Sequence, residues 1–460
     1  MVGILVRHAA GHKWPGHTWE TMSNIALAPV TAVTCNVGFE VIENAAIHIE
    51  DSRIAYIGPA HDAPPFAADE TIGGAQFVAM PGLVNTHTHA AMTLQRGYAD
   101  DIALEPWLQE KIWPFEKNQE AEDIYWGTLL AIAEMLRGGT TCFADMYFFY
   151  DQGVKAMIES GIRACPGATL LGFLPGAMGK IADGLAFVRE FNGAGDGRIT
   201  PFVAPHSLYT CNREQWSAII KGARDLNVPI HTHAAETRRE VADVTAQWGA
   251  PPIQTLHTIG ALDGPLLAAH CVYPEPGDIE LMRGNGGSTS ALRVAHNPTS
   301  NLKLASGFAP VPAYLAAGIT VGLGPDGTAS NNNLDMWEEM RLAALLHKGV
   351  SGNPTAVSAQ QALLMATREG ARCLNLGDRI GSLETGKQAD IVLLDFDRPH
   401  LYPRHNVVSH LVYSAGAGDV DTVLVDGEIL LRGGKFTRLD AAQICAESQR
   451  RADRLVRAAA

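Results

Sequence analysis

Hydrophobic residues recur along this chain with two different periods. From about Ile25 to Val78 they come in short runs broken by turn formers, the pattern of strands. Ala45-Ala46-Ile47-His48-Ile49 and Ile54-Ala55-Tyr56-Ile57 flank Asp51-Ser52, which predicts a hairpin. The same texture returns near the end of the chain. Asp390-Ile391-Val392-Leu393-Leu394 predicts one strand, and Thr422-Val423-Leu424-Val425 and Ile429-Leu430-Leu431 flank Asp426-Gly427, a strong hairpin signal. The two segments, residues 25–80 and 385–460, are read as one small β-sandwich-like domain built from both ends of the chain, the second closing with a helix.

Residues 81–384 alternate short apolar runs with helical stretches. Tyr125, Leu129, Ile132 and Leu136 fall on one helical face, and Gly138-Gly139 stops that helix before the strand-like Thr140-Thr141-Cys142-Phe143-Ala144. Ser358 with Gln361 predicts a capping box at another helix start. Repeated strand–helix alternation predicts a parallel sheet, and about 300 residues suit a closed (β/α)8 barrel of TIM type. Periodicity alone leaves an open doubly wound sheet equally available. Residues 1–24 carry Gly, Pro, Trp and His without periodicity and are read as an extension, with Met22-Ser23-Asn24 as an alternative start.

Composition narrows the class. The chain has 460 residues, 47% of them hydrophobic, and a formal net charge of −14, which argues against a partner read through its phosphates such as nucleic acid. No apolar run approaches the ~20 residues of a membrane-spanning helix, and no secretory leader is legible at the N-terminus. The 7 cysteines are odd in number and scattered without a CxxC pair, which fits a reducing, cytoplasmic setting and excludes a zinc ribbon or a disulfide framework.

The candidate chemistry lies in the 17 histidines. Strand-like runs end at His87-Thr88-His89, at His206, at His231-Thr232-His233 and at His270, while another ends at Asp326. All strand C-termini of a (β/α)8 barrel meet at one face, where active sites lie. The side chains of His87 and His89 share one side of a strand, since strand side chains repeat every two residues. Two imidazoles need further ligands to hold zinc, and His plus Asp are chemically suitable. His87 and Asp326 are 239 positions apart, close to the ~250 residues of a whole barrel, so first- and last-strand ligands become neighbours if the barrel closes. That favours the barrel over the open sheet. A lone strand-end histidine is more often structural, and His48, His257, His347 and His400, among others, have no such context. HExxH, PCxxC, P-loop and GxSxG motifs are all missing.

The stretches PGLVNTHTHAAMTLQRGYADD (81–101), APHSLYTC (204–211), HTHAAET (231–237), AAHCVY (268–273), AHNPTSNLKLASG (295–307) and GPDGTASNNNLDMWEEMRLAALL (324–346) resemble the amidohydrolase superfamily, and within it the methylthioadenosine/S-adenosylhomocysteine deaminases. The HxH pair is common to many amidohydrolases, whereas NPTSNLKLASG followed by DGTASNNNLD is much more specific. The resemblance implies one zinc ion per chain on His87, His89, His233 and Asp326. His233 is selected over His231 because the family's ligand lies three residues before a catalytic Glu, here Glu236. His231 is given a packing place one layer deeper. His206, where a binuclear member would offer a carboxylated lysine, implies a single metal.

The resemblance further implies that Glu236 protonates the purine N1, that Asp326 takes a proton from the nucleophilic water and that His270 orients it. It also implies that Glu105 binds the ribose hydroxyls and that His206 and Trp107 border the substrate. His296 is expected to be structural. The expected substrate is a neutral purine nucleoside, and the family often forms homo-oligomers. The stretch 164–184 has Lys180 as its only basic residue, and Phe173, Leu174, Pro175 and Met178 predict an apolar wall. Methylthioadenosine or adenosine is therefore favoured over S-adenosylhomocysteine, whose carboxylate would be costly to bury unpaired. Pro325 stands where the family usually has Thr, and is expected to bend the end of the eighth strand. The alternatives are an amidohydrolase of another amino-substituted heterocycle (triazine, guanine or cytosine type) and a non-enzymatic barrel scaffold.

Overall fold

The computed structural model describes residues 24–102, 106–284 and 291–459. Eight parallel strands close into a barrel, and we number them β1 (Leu83–Thr88), β2 (Thr140–Tyr147), β3 (Arg163–Leu170), β4 (Phe202–Pro205), β5 (Ile230–Ala234), β6 (Leu266–His270), β7 (Leu292–His296) and β8 (Val321–Leu323). Each strand pairs with the next in sequence, and β8 returns to β1 through Leu323 opposite Asn85. The strands are buried along almost their whole length, as parallel strands covered by helices must be. Val84, Cys142, Ala144, Phe202, Leu267 and Ala295 pack together in one cluster, so the barrel encloses a core and not a channel.

The helix foreseen at 125–136 runs Ala121–Arg137, with Leu129, Ile132 and Leu136 buried. Gly138 caps it, and β2 begins two residues later. The Ser358–Gln361 capping box forms as read.

A second, nine-stranded mixed sheet takes strands from both ends of the chain. Phe77–Pro81 pairs antiparallel with Ile391–Asp395, stitching the two ends together. Both predicted hairpin turns are present. Asp426 and Gly427 have φ of 56° and 80°, as a type I′ turn requires. Gly427 is also needed for space, because a Cβ there would lie 2.3 Å from the Asp51 carbonyl oxygen of the other hairpin. The C-terminal helix Ala441–Ala459 lies against the barrel helix Ala121–Arg137, where Arg451 reaches Glu122 at 2.6 Å and Asp123 at 3.2 Å. Among the described residues no helix is long and apolar enough to cross a membrane.

Candidate active site

The C-terminal ends of the barrel strands bring His87, His89, His233, His270 and Asp326 together. Ligand-capable atoms of His87, His89 and His233 all lie within 4.8 Å of one another, and the same holds for His87, His270 and Asp326. Asp326 Oδ1 lies 3.4 Å from His87 Nε2 and 3.3 Å from His89 Nε2.

Each of the three clustered imidazoles is anchored through its other nitrogen. His87 Nδ1 is 2.9 Å from His231 Nε2, His89 Nδ1 is 2.6 Å from the Met146 carbonyl oxygen, and His233 Nδ1 is 2.8 Å from the His206 carbonyl oxygen. A carbonyl can only accept, so His89 and His233 carry the proton on Nδ1 and turn a bare Nε2 toward the cluster. Burial holds His87 down to about 4 and His233 well below the ordinary histidine value, so both are neutral, the metal-binding form. His87 Nε2 is buried and has no hydrogen-bond partner. An orphaned buried nitrogen facing a carboxylate and two further bare nitrogens fits a divalent cation, and the N3O donor set suits zinc.

Asp326 follows β8 with φ of 65°. The strand stops at Leu323, so Pro325 never enters the ladder and its missing N–H costs nothing. The bend expected from Pro325 does not carry Asp326 away, because its N–H bonds the His87 carbonyl oxygen at 3.1 Å. Burial would raise this carboxyl, but the imidazoles of His87, then His89 and His270, hold it well below the usual carboxylate range whenever they carry a proton on the side that faces it. Asp326 is then ionised.

Glu236 follows β5 behind Ala235, whose φ is 53°, and is 9% exposed. Burial pushes its carboxyl up, the direction that favours keeping a proton. His270 ends β6 with its Nε2 3.8 Å from Glu236 Oε2 and its Nδ1 2.8 Å from Asn301 Oδ1. Burial opposes charge on His270, but Glu236 and Asp326 together raise it.

His89, His233, Glu236, His270 and Asp326 line a cleft whose empty space, about 780 Å³, opens to solvent. His206 lines it beside His233, with ring centroids 4.6 Å apart. Trp107 lines it too, tied back by its indole N–H to the Ala99 carbonyl oxygen at 3.1 Å. Glu105 lies outside the described residues. The apolar wall differs from the one read in the sequence. Leu171 and Trp113 line the cavity and Phe173 and Met178 do not; Phe173, 59% exposed, lies with its ring 6.3 Å from that of Trp113, which is itself 42% exposed. His231 lies one layer below the cluster as expected, and His296 pairs with His347 at 3.1 Å away from the cavity.

Sequence reasoning passed over several supporting residues. Glu240 accepts the N–H groups of Ala235 and Glu236 at 3.0 and 2.6 Å, fixing the turn that carries Glu236. Thr237-x-x-Glu240 is a capping-box pattern and could have flagged it, although here the glutamate reaches past the cap residue. Ser300, Asn301 and Ser306, each hydrogen-bonded to a group named above, lie in the family-specific stretch NPTSNLKLASG, but the stretch by itself does not say which groups they meet.

Residues 78–430 match the amidohydrolase family. A 5-methylthioadenosine/S-adenosylhomocysteine deaminase of Moorella thermoacetica is 49% identical over 412 residues, 89% of this chain and 95% of the relative. Among solved structures, an adenosine deaminase from Xanthomonas campestris with bound zinc is 38% identical, with a TM-score of 0.90 over 95% of this chain and 99% of the other. An atrazine chlorohydrolase from Arthrobacter aurescens complexed with zinc is 26% identical, with a TM-score of 0.84 over 93% of this chain and 100% of the other.

Proposed function

The chain belongs to the amidohydrolase family, and from that footing we propose a metal-dependent deaminase that hydrolyses the 6-amino group of an adenine nucleoside. One observation supports the reading above others: an ionised Asp326, a buried Glu236 and His270 all border the same cavity as the imidazole cluster. The deaminases among the relatives support the substrate class.

In this reading His87, His89, His233 and Asp326 hold one zinc ion. When bound, the ion would supply acidified water, lowering its pKa from ~15.7 to ~7. Asp326 takes a proton from the nucleophilic water, its Oδ1 turned to the cluster and its Oδ2 held at 2.6 Å by the Ser300 hydroxyl. His270, with Nδ1–H committed to Asn301, aims its Nε2 into the cavity and orients that water. Glu236 delivers its proton to the ring nitrogen N1 as water adds at C6. The proton held on Asp326 then passes to the departing amino group and the C6 hydroxyl returns one to Glu236, so that ammonia leaves, the 6-oxo purine remains and both carboxyls are restored. Glu105 accepts the ribose hydroxyls, and His206 and Trp107 border the nucleoside.

The 5′ side of the substrate is read as apolar or small. No Lys or Arg is among the described residues that line the cavity. An amino-acid carboxylate there would be buried without a partner. Methylthioadenosine and adenosine are therefore favoured over S-adenosylhomocysteine.

The test follows ammonia release from adenosine, methylthioadenosine and S-adenosylhomocysteine, beside guanine, cytosine and an aminotriazine, with and without chelator. Chelator-sensitive turnover of the first two, at least about tenfold above S-adenosylhomocysteine in kcat/KM, is expected. Preferred turnover of a free base or triazine would overturn the nucleoside reading. Comparable turnover of all three nucleosides would overturn the 5′ preference.

A further inference from the structure

The most specific stretch of this sequence, residues 295–307, contributes no ligand and no proton donor to the reading above. Its place in the fold is nevertheless central. After His296 ends β7, Asn297 Nδ2 bonds the Gly324 carbonyl oxygen at 2.9 Å, and a short helix, Pro298–Lys303, crosses the top of the barrel. Three side chains of this segment then reach three different strand ends. The Ser300 hydroxyl donates to Asp326 Oδ2 at 2.6 Å. Asn301 Oδ1 accepts His270 Nδ1–H at 2.8 Å. The Ser306 hydroxyl donates to Glu236 Oε1 at 3.3 Å.

All three side chains are shielded, with exposures of 0%, 1% and 4% for Ser300, Asn301 and Ser306. The bond to His270 is the one side-chain hydrogen bond of Asn301 among the described residues, its Nδ2 being buried without a partner. A purely structural asparagine would be expected to satisfy both ends of its amide. The segment is itself pinned: Thr299 N–H bonds Glu339 at 3.2 Å, and Lys303 bonds Asp100 at 2.5 Å and also Asn332. Asp326, His270 and Glu236 stand on β8, β6 and β5 or just beyond them, so no single strand sets their mutual positions. One short anchored segment touches all three, beside the Ser330 hydroxyl that also donates to Asp326 Oδ2 at 3.1 Å and the Glu240 carboxylate that fixes the turn of Glu236.

We propose that Ser300, Asn301 and Ser306 are positioning residues, forming a strap that sets Asp326, His270 and Glu236 at fixed places relative to one another. The inference rests on the deaminase reading for the roles of those three groups, but not on which heterocycle is the substrate. Groups held to reacting geometry by supporting hydrogen bonds lose rate when the support is removed, even though nothing that touches substrate has changed.

Double-mutant cycles with parallel zinc titrations test it. Asn301→Ala and Ser306→Ala are expected to lower kcat by about 10–100-fold with little change in KM. Asn301→Asp and Ser306→Thr, which keep the acceptor oxygen and the donor hydroxyl, should restore most of the loss. Ser306→Ala should cost nothing more in a Glu236→Gln background, nor Asn301→Ala in a His270→Ala background, since a strap has nothing left to position there. Ser300→Ala should loosen zinc by about tenfold or more against a competing chelator, while Asn301→Ala and Ser306→Ala leave that affinity unchanged. Losses that multiply fully across either cycle, alanine variants with wild-type kcat, or unaltered zinc affinity in Ser300→Ala would overturn the strap. A wild-type protein that deaminates nothing would instead overturn the deaminase reading, and the zinc titration of Ser300→Ala would still decide the strap at Asp326.

Discussion

His231 Nε2 lies 2.9 Å from His87 Nδ1, and both rings are fully buried. Two imidazoles at that distance share one proton. If His87 is to keep a bare Nε2 toward Asp326, it must donate from Nδ1, and His231 must accept. Burial holds His231 well below its ordinary value, so it stays neutral and able to accept. Replacing His231 with Leu strands the His87 donor and is expected to weaken zinc binding by about 10–100-fold. His231→Gln, which keeps an acceptor oxygen, should weaken it less. Competition against a chromophoric chelator measures both, and equal affinities for Leu and wild type would remove His231 from the metal site.

Glu236 holds no place in the cluster that would carry zinc, yet it borders the same cavity. Glu236→Gln keeps its size and loses its proton relay. Its kcat should fall by about 10²–10⁴ while zinc content stays at the wild-type level. Metal analysis beside steady-state rates checks this, and parallel loss of metal would mean that Glu236 is structural.

Arg163, at the first position of β3, is fully buried and grips Asp390 with two bonds of 2.9 Å and Asp426 with one of 3.1 Å. The contact ties the barrel to the start of the strand Ile391–Asp395 in the mixed sheet. Asp390→Ala removes two of these three bonds and leaves the buried guanidinium only Asp426, so it should lower unfolding stability by about 3 kcal/mol, the lower end for a broken buried pair. Its kcat/KM should hardly move, because the pair lies at the end of the barrel opposite the cavity. Urea denaturation and initial rates separate the two effects.

Glu339 is fully buried, accepting Thr299 N–H at 3.2 Å and Asn331 Nδ2–H at 2.7 Å. Burial outweighs those bonds and pushes its carboxyl up to about 8 from the ordinary 4.5. The unfolded chain therefore releases the proton first as pH rises, and stability falls between those two values. Wild-type protein should lose stability from pH ~6 to ~9, and Glu339→Gln should lose less over the same range. Denaturant midpoints at the two pH values test the sign, and equal losses would rule out this group.

Much of the molecule was legible from local pattern. Period-two alternation put His87 and His89 on one side of a strand, and the Asp426-Gly427 pair announced its turn because few residues tolerate two successive positive φ angles. The apolar wall was less legible. Phe173 and Met178 looked suitable by chemistry, but the direction in which a loop leaves its strand is not encoded in its hydrophobicity.

The sequence by itself therefore determined the strand–helix alternation, the two-ended sheet and which strand ends carry imidazole or carboxylate, because these depend on backbone propensity and spacing within a few residues. Tertiary structure alone decided which nitrogen of each imidazole is free, and that Ser300, Asn301 and Ser306 meet Asp326, His270 and Glu236. Those contacts join residues 26 to 70 positions apart. They also depend on left-handed backbone at Asp326, a residue type that tolerates it, and at Ala235 and His270, which rarely adopt it.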